Sequence, residues 1–325
     1  MSSSAEIALD PAEIARVRSE LRSRGFAVVR GLLPATTIER AKAHLEKAVG
    51  RHLEQAEHAA PAPATLPLAR RLAAAYAGRE AEAPCSWVPQ VRGSFVFQGL
   101  LFRDASLCAL VEALTGGRAA AVASRFNCRA KLRDAPGASF PWHQDHAFFR
   151  MQYILKKEEP KRLLAAWAPL VAVGAHNGGV ELLPGSHAAG FVRHGRAGGF
   201  LAAAAPPAAR GVVPDLEPGD VLLFTDLTLH CSGPNTTDEA RWSADWAYEL
   251  EDGDDVCPPL EGGGGIGADA DADRATPAEA ARMRMRLWWR RRLWWRRRAW
   301  AIFLATTAAA VLAAALARLP RNKFT

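Results

Sequence analysis

The residue types that could do chemistry gather in one stretch, Pro141-Trp142-His143-Gln144-Asp145-His146-Ala147-Phe148-Phe149. It sets an imidazole and a carboxylate two positions apart, and on a β-strand positions i and i+2 share a face. His143 and Asp145 can therefore reach one metal ion from the same side. Two such ligands are part of a two-histidine, one-carboxylate facial set, which leaves open positions on a non-haem Fe(II). His-x-Asp also arises by chance, so the reading turns on a second histidine and an anion-binding residue at a sensible distance. His230 lies well downstream, on a strand-like stretch after a Gly-Asp turn, and Arg241 comes eleven residues later. That spacing predicts an antiparallel hairpin in which both residues face one cavity. A guanidinium there would hold one end of a dicarboxylate through a bidentate fork.

The elements that must position these groups are legible as pattern. Residues 10–24 read as a helix with Asp10 as N-cap, Pro11 in the first turn and Glu13 completing a capping box; Gly25 stops it. A short strand comes next at 26–29, then helices over 36–53, near 66–76 and over 106–114. Strands are expected at 93–101, 119–131, around His143, at 163–173, 180–183, 221–224 and 229–232, and finally at 241–250, where Trp242, Ala244, Trp246 and Tyr248 alternate. Residues 196–209 read as a Gly/Ala/Pro-rich loop. Many short strands with Gly/Pro turns predict a mainly β fold with flanking helices, a jelly roll.

Composition narrows the function classes. The net charge of +7 is uneven: residues 282–325 hold twelve of the 41 Lys and Arg and no acid, which leaves 29 basic against 34 acidic residues, a net −5, in the body. Nucleic acid is therefore not an expected partner of the body. The five cysteines (Cys85, Cys108, Cys128, Cys231, Cys257) form no CxxC pair, and no apolar h-region comes after Met1. That predicts a reduced compartment, ordinary thiols and no signal peptide.

Further blocks carry a resemblance. They are Trp142-His143-Gln144-Asp145, then Trp167-Ala168-Pro169-Leu170, then the run from Asn177-Gly178-Gly179 to Pro184-Gly185-Ser186-His187. Gly219-Asp220-Val221-Leu222-Leu223-Phe224, His230-Cys231-Ser232-Gly233-Pro234-Asn235 and Arg241 complete it, and Gly25-Phe26-Ala27-Val28-Val29 opens the series. In this order they resemble the phytanoyl-CoA dioxygenase family of Fe(II)/2-oxoglutarate-dependent oxygenases, over roughly residues 10–250. The resemblance implies a double-stranded β-helix, cupin-like, with His143, Asp145 and His230 as Fe(II) ligands and as the catalytic centre. It implies Arg241 on the distal carboxylate of 2-oxoglutarate, with Gln144, Trp167, Ser232 and Asn127 lining the co-substrate pocket. It implies O2 as oxidant, ascorbate as a supporting reductant, and hydroxylation of an unactivated C–H bond in a small or lipid-like substrate, with release of succinate and CO2. Asp145 is retained, so halogenation is not expected. One block departs from the family: Ala175-His176 stands where an acid is common.

Plainer readings stand beside these. Arg241 alone could make a cross-strand ion pair, and Trp167 could be core. His146, His176, His187 and His194 read as structural, His146 because strand alternation would turn it from the metal. Arg129, Lys131 and Arg133 read as a solvated basic face rather than a site for an acidic substrate. The competing function, from another class, is a non-catalytic metal-binding β-helix serving as a membrane-tethered binding or scaffold module.

The expected domains are 1–255 for the dioxygenase unit, 256–281 for a flexible Gly and Asp/Ala linker, and 282–325 for a C-terminal helical tail. That tail opens with a tandem Leu-Trp-Trp-Arg-Arg-Arg repeat and continues into residues 299–317, which carry no charge. Such a run would span roughly 28 Å as a helix, about one hydrocarbon core. Nine arginines before it predict a transmembrane anchor with the catalytic domain on the cytoplasmic side. A surface-lying Trp/Arg segment, a nucleic-acid contact and an unselected extension remain open for the tail.

Overall fold

Asp10 opens the first helix, α1 (Pro11–Arg24), by accepting a hydrogen bond from the Ala12 amide at 2.9 Å. Glu13 does not close a capping box. The Arg16 guanidinium takes its carboxylate at 2.8 and 2.6 Å, since an ionic fork one turn away outcompetes a single backbone amide. Gly25 ends the helix at φ 83°, and a Cβ there would lie 2.6 Å from the His187 ring and from Thr228. His187 sits in that junction and donates from Nε2 to the Arg22 carbonyl at 3.0 Å, a structural task as expected.

The structure, a computed structural model, describes residues 9–250 apart from 58, 92–98, 100, 118, 122–125, 136–137, 157–160, 198–199 and 206. The chain divides into two units, Met1–Gly263 and Gly264–Thr325. The strand expected at 93–101 falls almost wholly outside the described residues, as do the linker, the Trp/Arg repeat, Cys257 and the span at 299–317. No helix among the described residues is long and apolar enough to cross a membrane.

Two antiparallel sheets build the first unit. The larger runs β1 (Phe26–Val29), β9 (Val221–Thr225), β5 (Leu163–Pro169), β11 (Arg241–Leu250) and β2 (Ala119–Ala121), with β3 (Asn127–Lys131) also on β11. The single strand expected over 119–131 is thus two: β3 pairs Arg241–Asp245 and β2 pairs Tyr248–Leu250. The smaller sheet sets β10 (His230–Ser232) between β4 (Phe140–His143) and β6 (Val180–Leu182). The loop expected over 196–209 contains a hairpin instead, β7 (His194–Ala197) with β8 (Phe200–Ala203). Its sequence signal was the Gly198-Gly199 dipeptide, a two-residue hairpin turn type.

Alternation along β11 decides which groups meet. Trp242, Ala244, Trp246 and Tyr248 join the core beneath the helices. Ile38 and Leu45 of α2 (Ala35–Gln55), Leu72 of α3 (Leu68–Ala75), Val91 of α4 (Val88–Val91) and Leu107 of α5 (Ala105–Thr115) belong to the same core. Arg241, Ser243 and Asp245 take the other face. On that inner face the large sheet contributes Phe26, Trp167, Leu222 and Phe224 to a second apolar cluster, which the small sheet joins through Val180 and Leu182. A cavity opens beside this cluster, with Trp167, Val180 and Phe224 in its lining.

Candidate metal centre

His143 closes β4 and lies directly opposite His230 in the antiparallel register of β10. Their ring centroids are 4.2 Å apart. Asp145 is not on the strand with His143. It is the first residue of a helix, α6 (Asp145–Lys156), which begins one residue after the strand. Gln144 makes that break. Its backbone N–H goes to His194 Nε2 at 2.9 Å instead of to a ladder, its side-chain amide donates to the Gly190 and Leu227 carbonyls at 2.8 Å, and its Oε1 accepts from Val192 N at 2.9 Å. Gln144 is completely buried and absent from the cavity lining, so its expected place against the co-substrate is corrected to that of a clamp behind the metal ligands.

The Asp145 carboxylate reaches the same point from the helix. Its Oδ1 lies 3.7 Å from His143 Nε2 and 3.7 Å from His230 Nε2, and the three ligand atoms fall within 4.8 Å of one another. His143 Nδ1 faces the Pro141 carbonyl at 2.8 Å, and His230 Nδ1 faces the Thr228 carbonyl at 2.9 Å. A carbonyl only accepts, so both protons sit on Nδ1 and both Nε2 lone pairs point at the carboxylate. Burial, with His143 beside it and against the pull of Asp145, pushes His230 down to about 4, so it is a neutral ligand at neutral pH. Burial works against the charge of Asp145, yet the positive charge that His230 and His143 carry when protonated, together with the Arg129 guanidinium, holds it below the ordinary carboxylate range. Two lone pairs and an anion converging without a donor between them fit a divalent cation.

His230 and Arg241 do not form the expected hairpin. They stand in opposite sheets and face each other across a cavity of about 310 Å³. The chain crosses between sheets after Ser232, as a jelly roll requires, so sequence neighbours need not pair. Arg241 is 4 % exposed and makes no ion pair among the described residues; Nη1 donates to Ser243 Oγ, and Nε has no partner. Burial, together with the charge of Arg129, lowers it to about 10, still a cation at neutral pH. An unpaired buried guanidinium fits an absent anion. The Trp167 ring lies 5.6 Å from its Cζ; Trp167 is both buried and part of the cavity wall.

Ser232 and Asn127 also line the cavity. Ser232 Oγ accepts from Lys131 Nζ at 3.0 Å, which leaves its own hydroxyl proton to donate. Asn127 Nδ2 donates to Asp245 Oδ2 at 2.6 Å. The basic cluster is not one solvated face. Arg133 is exposed and pairs with Asp238 at 2.9 Å, Lys131 is 1 % exposed, and Arg129 lines the cavity. Strand alternation turns 127, 129 and 131 inward together, a period the sequence displays without saying which face is inside.

Phe140, Phe148, Phe149, Val180, Phe224 and Asp245 also line the walls, and sequence reasoning did not single them out. Phe148 and Phe149 come three and four residues after Asp145, which is one helix face. Reading α6 as a helix would have found them; the Phe148 ring meets His143 edge-on at 5.4 Å. His146 points away, as expected, but for a helical reason: it is buried against Asp226 at 2.8 Å, and Asp226 also holds Arg162 at 2.9 Å. His176 is exposed.

The sequence profile of the phytanoyl-CoA dioxygenase (PhyH) family matches residues 21–243. No curated protein matches the sequence significantly. Among solved structures, EvdO2 from Micromonospora carbonacea var. aurantiaca complexed with 2-oxoglutarate is similar at 20% identity and TM-score 0.51, over 75% of this chain and 92% of that one. The epimerase SnoN in complex with Fe3+, alpha ketoglutarate and nogalamycin RO is similar at 22% identity and TM-score 0.50, over 78% and 93%. EvdMO1 is similar at 20% identity and TM-score 0.50, over 73% of this chain; the chain spans about half of that protein, 50%. At these identities the likeness is one of fold.

Proposed function

The chain belongs to the phytanoyl-CoA dioxygenase family, and from there we propose that it is an Fe(II)- and 2-oxoglutarate-dependent oxygenase that hydroxylates an unactivated C–H bond of a small or lipid-like molecule. One observation carries the reading. Two Nε2 lone pairs and the Asp145 carboxylate converge at 3.7 Å, across a cavity from a buried guanidinium that has no anion among the described residues. The first group asks for a cation and the second for an anion. A metal chelated by a dicarboxylate satisfies both at once.

His143, Asp145 and His230 would hold the iron on one face, and bound iron supplies the O2 chemistry that splits 2-oxoglutarate to succinate and CO2 as substrate is oxidised. Arg241 neutralises the distal carboxylate, and burial strengthens that attraction. Trp167 gives an apolar wall beside the carbon chain, and the Ser232 hydroxyl donates to the same carboxylate. Phe148 packs on His143 and keeps water from the ligand ring. No observation favours the non-catalytic scaffold, because no ligand is missing.

Purified full-length chain with Fe(II), ascorbate, O2 and 2-oxoglutarate is expected to release succinate slowly without substrate and faster with it. Neither iron binding nor succinate under any condition would sink the reading. For the tail we keep the anchor: the chain should pellet with membranes and resist carbonate. Release by salt alone would instead favour an Arg/Trp surface contact with anionic lipid, because screening weakens that attraction and leaves a buried span intact.

A further inference from the structure

Three cations share the inner face of β3 and β11, and what each one touches sorts them. Arg241 is taken by the distal carboxylate of the co-substrate. Lys131 lies behind the cavity wall, where Nζ already donates to Ser232 Oγ at 3.0 Å and to the Gly233 carbonyl. Gly178 closes over it at φ 75°, so near that a Cβ would lie 2.7 Å from Lys131 Cδ. Arg129 differs on every count. It lines the cavity, its side chain keeps 29% exposure, and its ionic contact runs from Nε to Asp245 Oδ1 at 3.5 Å. Charge-assisted bonds of this kind close to about 2.7–2.9 Å. Among the described residues nothing accepts from its two terminal amino groups.

The guanidinium is nevertheless held in place. Its Cζ lies 4.7 Å from the centre of the Phe140 ring, and Phe140 packs at 5.0 Å on Phe200 of β8. Asp245 is held by Asn127 through Oδ2 at 2.6 Å, while its Oδ1 stands 3.5 Å from Arg129 Nε. The result is a planar donor fork, positioned in advance, beside the aromatic wall of Phe140, Phe148 and Phe149. A neutral substrate would leave that charge half-compensated in a partly desolvated wall. An anion would complete it, and the partial burial makes the attraction worth more than on an open surface.

We propose that Arg129 determines substrate specificity, and that the substrate is a small organic anion whose carboxylate or phosphate head docks on the terminal amino groups of Arg129. Its apolar body lies along Phe140, Phe148 and Phe149 toward the metal ligands. The assignment rests on the functional reading above, which gives Arg241 to the co-substrate and so leaves Arg129 for the substrate.

The test uses full-length protein loaded with Co(II) in place of iron, so that nothing turns over, and saturated with 2-oxoglutarate. Calorimetry then measures phenylacetate, octanoate and phenyl phosphate against the neutral phenylacetamide and octanamide. At least one acid should bind about tenfold or more tighter than its amide, the scale of a charged hydrogen bond, without displacing 2-oxoglutarate. The carboxylate and phosphate arms distinguish the two heads. Arg129→Gln should erase the preference while leaving amide binding unchanged, and Arg129→Lys should keep part of it. The proposal is overturned if no acid is preferred, if the preference survives Arg129→Gln, or if the acid displaces 2-oxoglutarate, which would place it on Arg241. Equal 2-oxoglutarate binding by wild type and Arg129→Gln leaves the functional reading standing whatever the probes do. Absence of that binding from both overturns the functional reading, and this inference with it.

Discussion

The two walls of the cavity are built on opposite electrostatic plans. On the small sheet, β4 and β10 hold two imidazoles whose Nδ1 protons are already used, and a helix end adds one carboxylate. Both rings have their outward bond, and what the three ligand atoms lack is a cation. On the large sheet, β3 and β11 carry Lys131, Arg129 and Arg241 on one face, and Asp245 is the acid of these two strands that lines the cavity. Lys131 is satisfied by neutral acceptors, Arg129 is loosely paired, and Arg241 is bonded, among the described residues, only to a hydroxyl. What is missing there is an anion. A metal site assembled alone would need only the first wall. The second explains why this is a site for a metal with an acidic co-substrate.

The strongest way to break the comparison is to empty the first wall. His143→Ala should lower succinate formation by well over 100-fold, because loss of a mere supporting bond to a metal ligand already costs 10–100-fold. Calorimetry with Co(II) should find metal affinity down with it. Unchanged 2-oxoglutarate affinity in this variant would mean that the two walls act independently, and the joint reading would fail.

Arg241→Met empties the second wall. Truncating one partner of a buried charged pair costs about 2–5 kcal/mol, so KM for 2-oxoglutarate should rise on the order of 100-fold while Co(II) affinity stays put. Arg241→Lys should recover little, since an ammonium cannot make the fork. A large fall in kcat with KM unmoved would reassign Arg241 from binding to the chemistry.

How far the sequence displays these walls differs between them. The first is legible because its ligands are rare residue types in a fixed order: His143, Asp145, His230. What the motif hides is how they are carried. His-Gln-Asp reads as three strand residues, and nothing local reveals that Gln144 gives its amide to His194, fifty residues away, so that Asp145 can begin a helix. The second wall is harder. Asn127, Arg129 and Lys131 alternate as a strand should, but alternation names two faces without saying which is inside, and charged residues favour the outside reading. Arg241 is found through its place after His230, yet the hairpin inferred from that spacing is wrong because β10 and β11 belong to different sheets. Sheet membership depends on long-range pairing that no local spacing encodes.

Lys131 offers a test that needs no substrate. Burial, with Arg241 and Arg129 nearby, pushes it down to about 7 in the folded protein, against ~10.4 in an unfolded chain. Between those values the unfolded state binds a proton that the folded state does not. Stability should therefore rise with pH from about 7 to about 10, by on the order of a few kcal/mol, and be flat in this respect below 7. Lys131→Met should remove that slope, so the difference between the two proteins in urea melts should grow in favour of the variant as pH falls toward 7. A pH-independent difference would mean that Lys131 stays charged in the fold, with Ser232 Oγ and the Gly233 carbonyl enough to hold that charge.

The smallest effect is expected behind the first wall, at His194. Its Nδ1 donates to the Val192 carbonyl at 2.7 Å, so Nε2 is the acceptor for the Gln144 amide at 2.9 Å. The ring stacks on Phe191 with centroids 5.3 Å apart and planes 12° from parallel. His194→Phe keeps that stack and removes the acceptor, leaving a buried N–H unpaired between two metal ligands. The cost should be about 1–3 kcal/mol in stability. If Gln144 is what sets the angle between His143 and Asp145, Co(II) affinity should fall as well, by up to about tenfold, while 2-oxoglutarate affinity measured at saturating metal stays the same. Equal loss at both ligands would mean that the variant had loosened the whole small sheet. Lost stability with metal affinity unchanged would mean that the strand-to-helix break is held by Gln144's side-chain bonds to Gly190, Leu227 and Val192 alone.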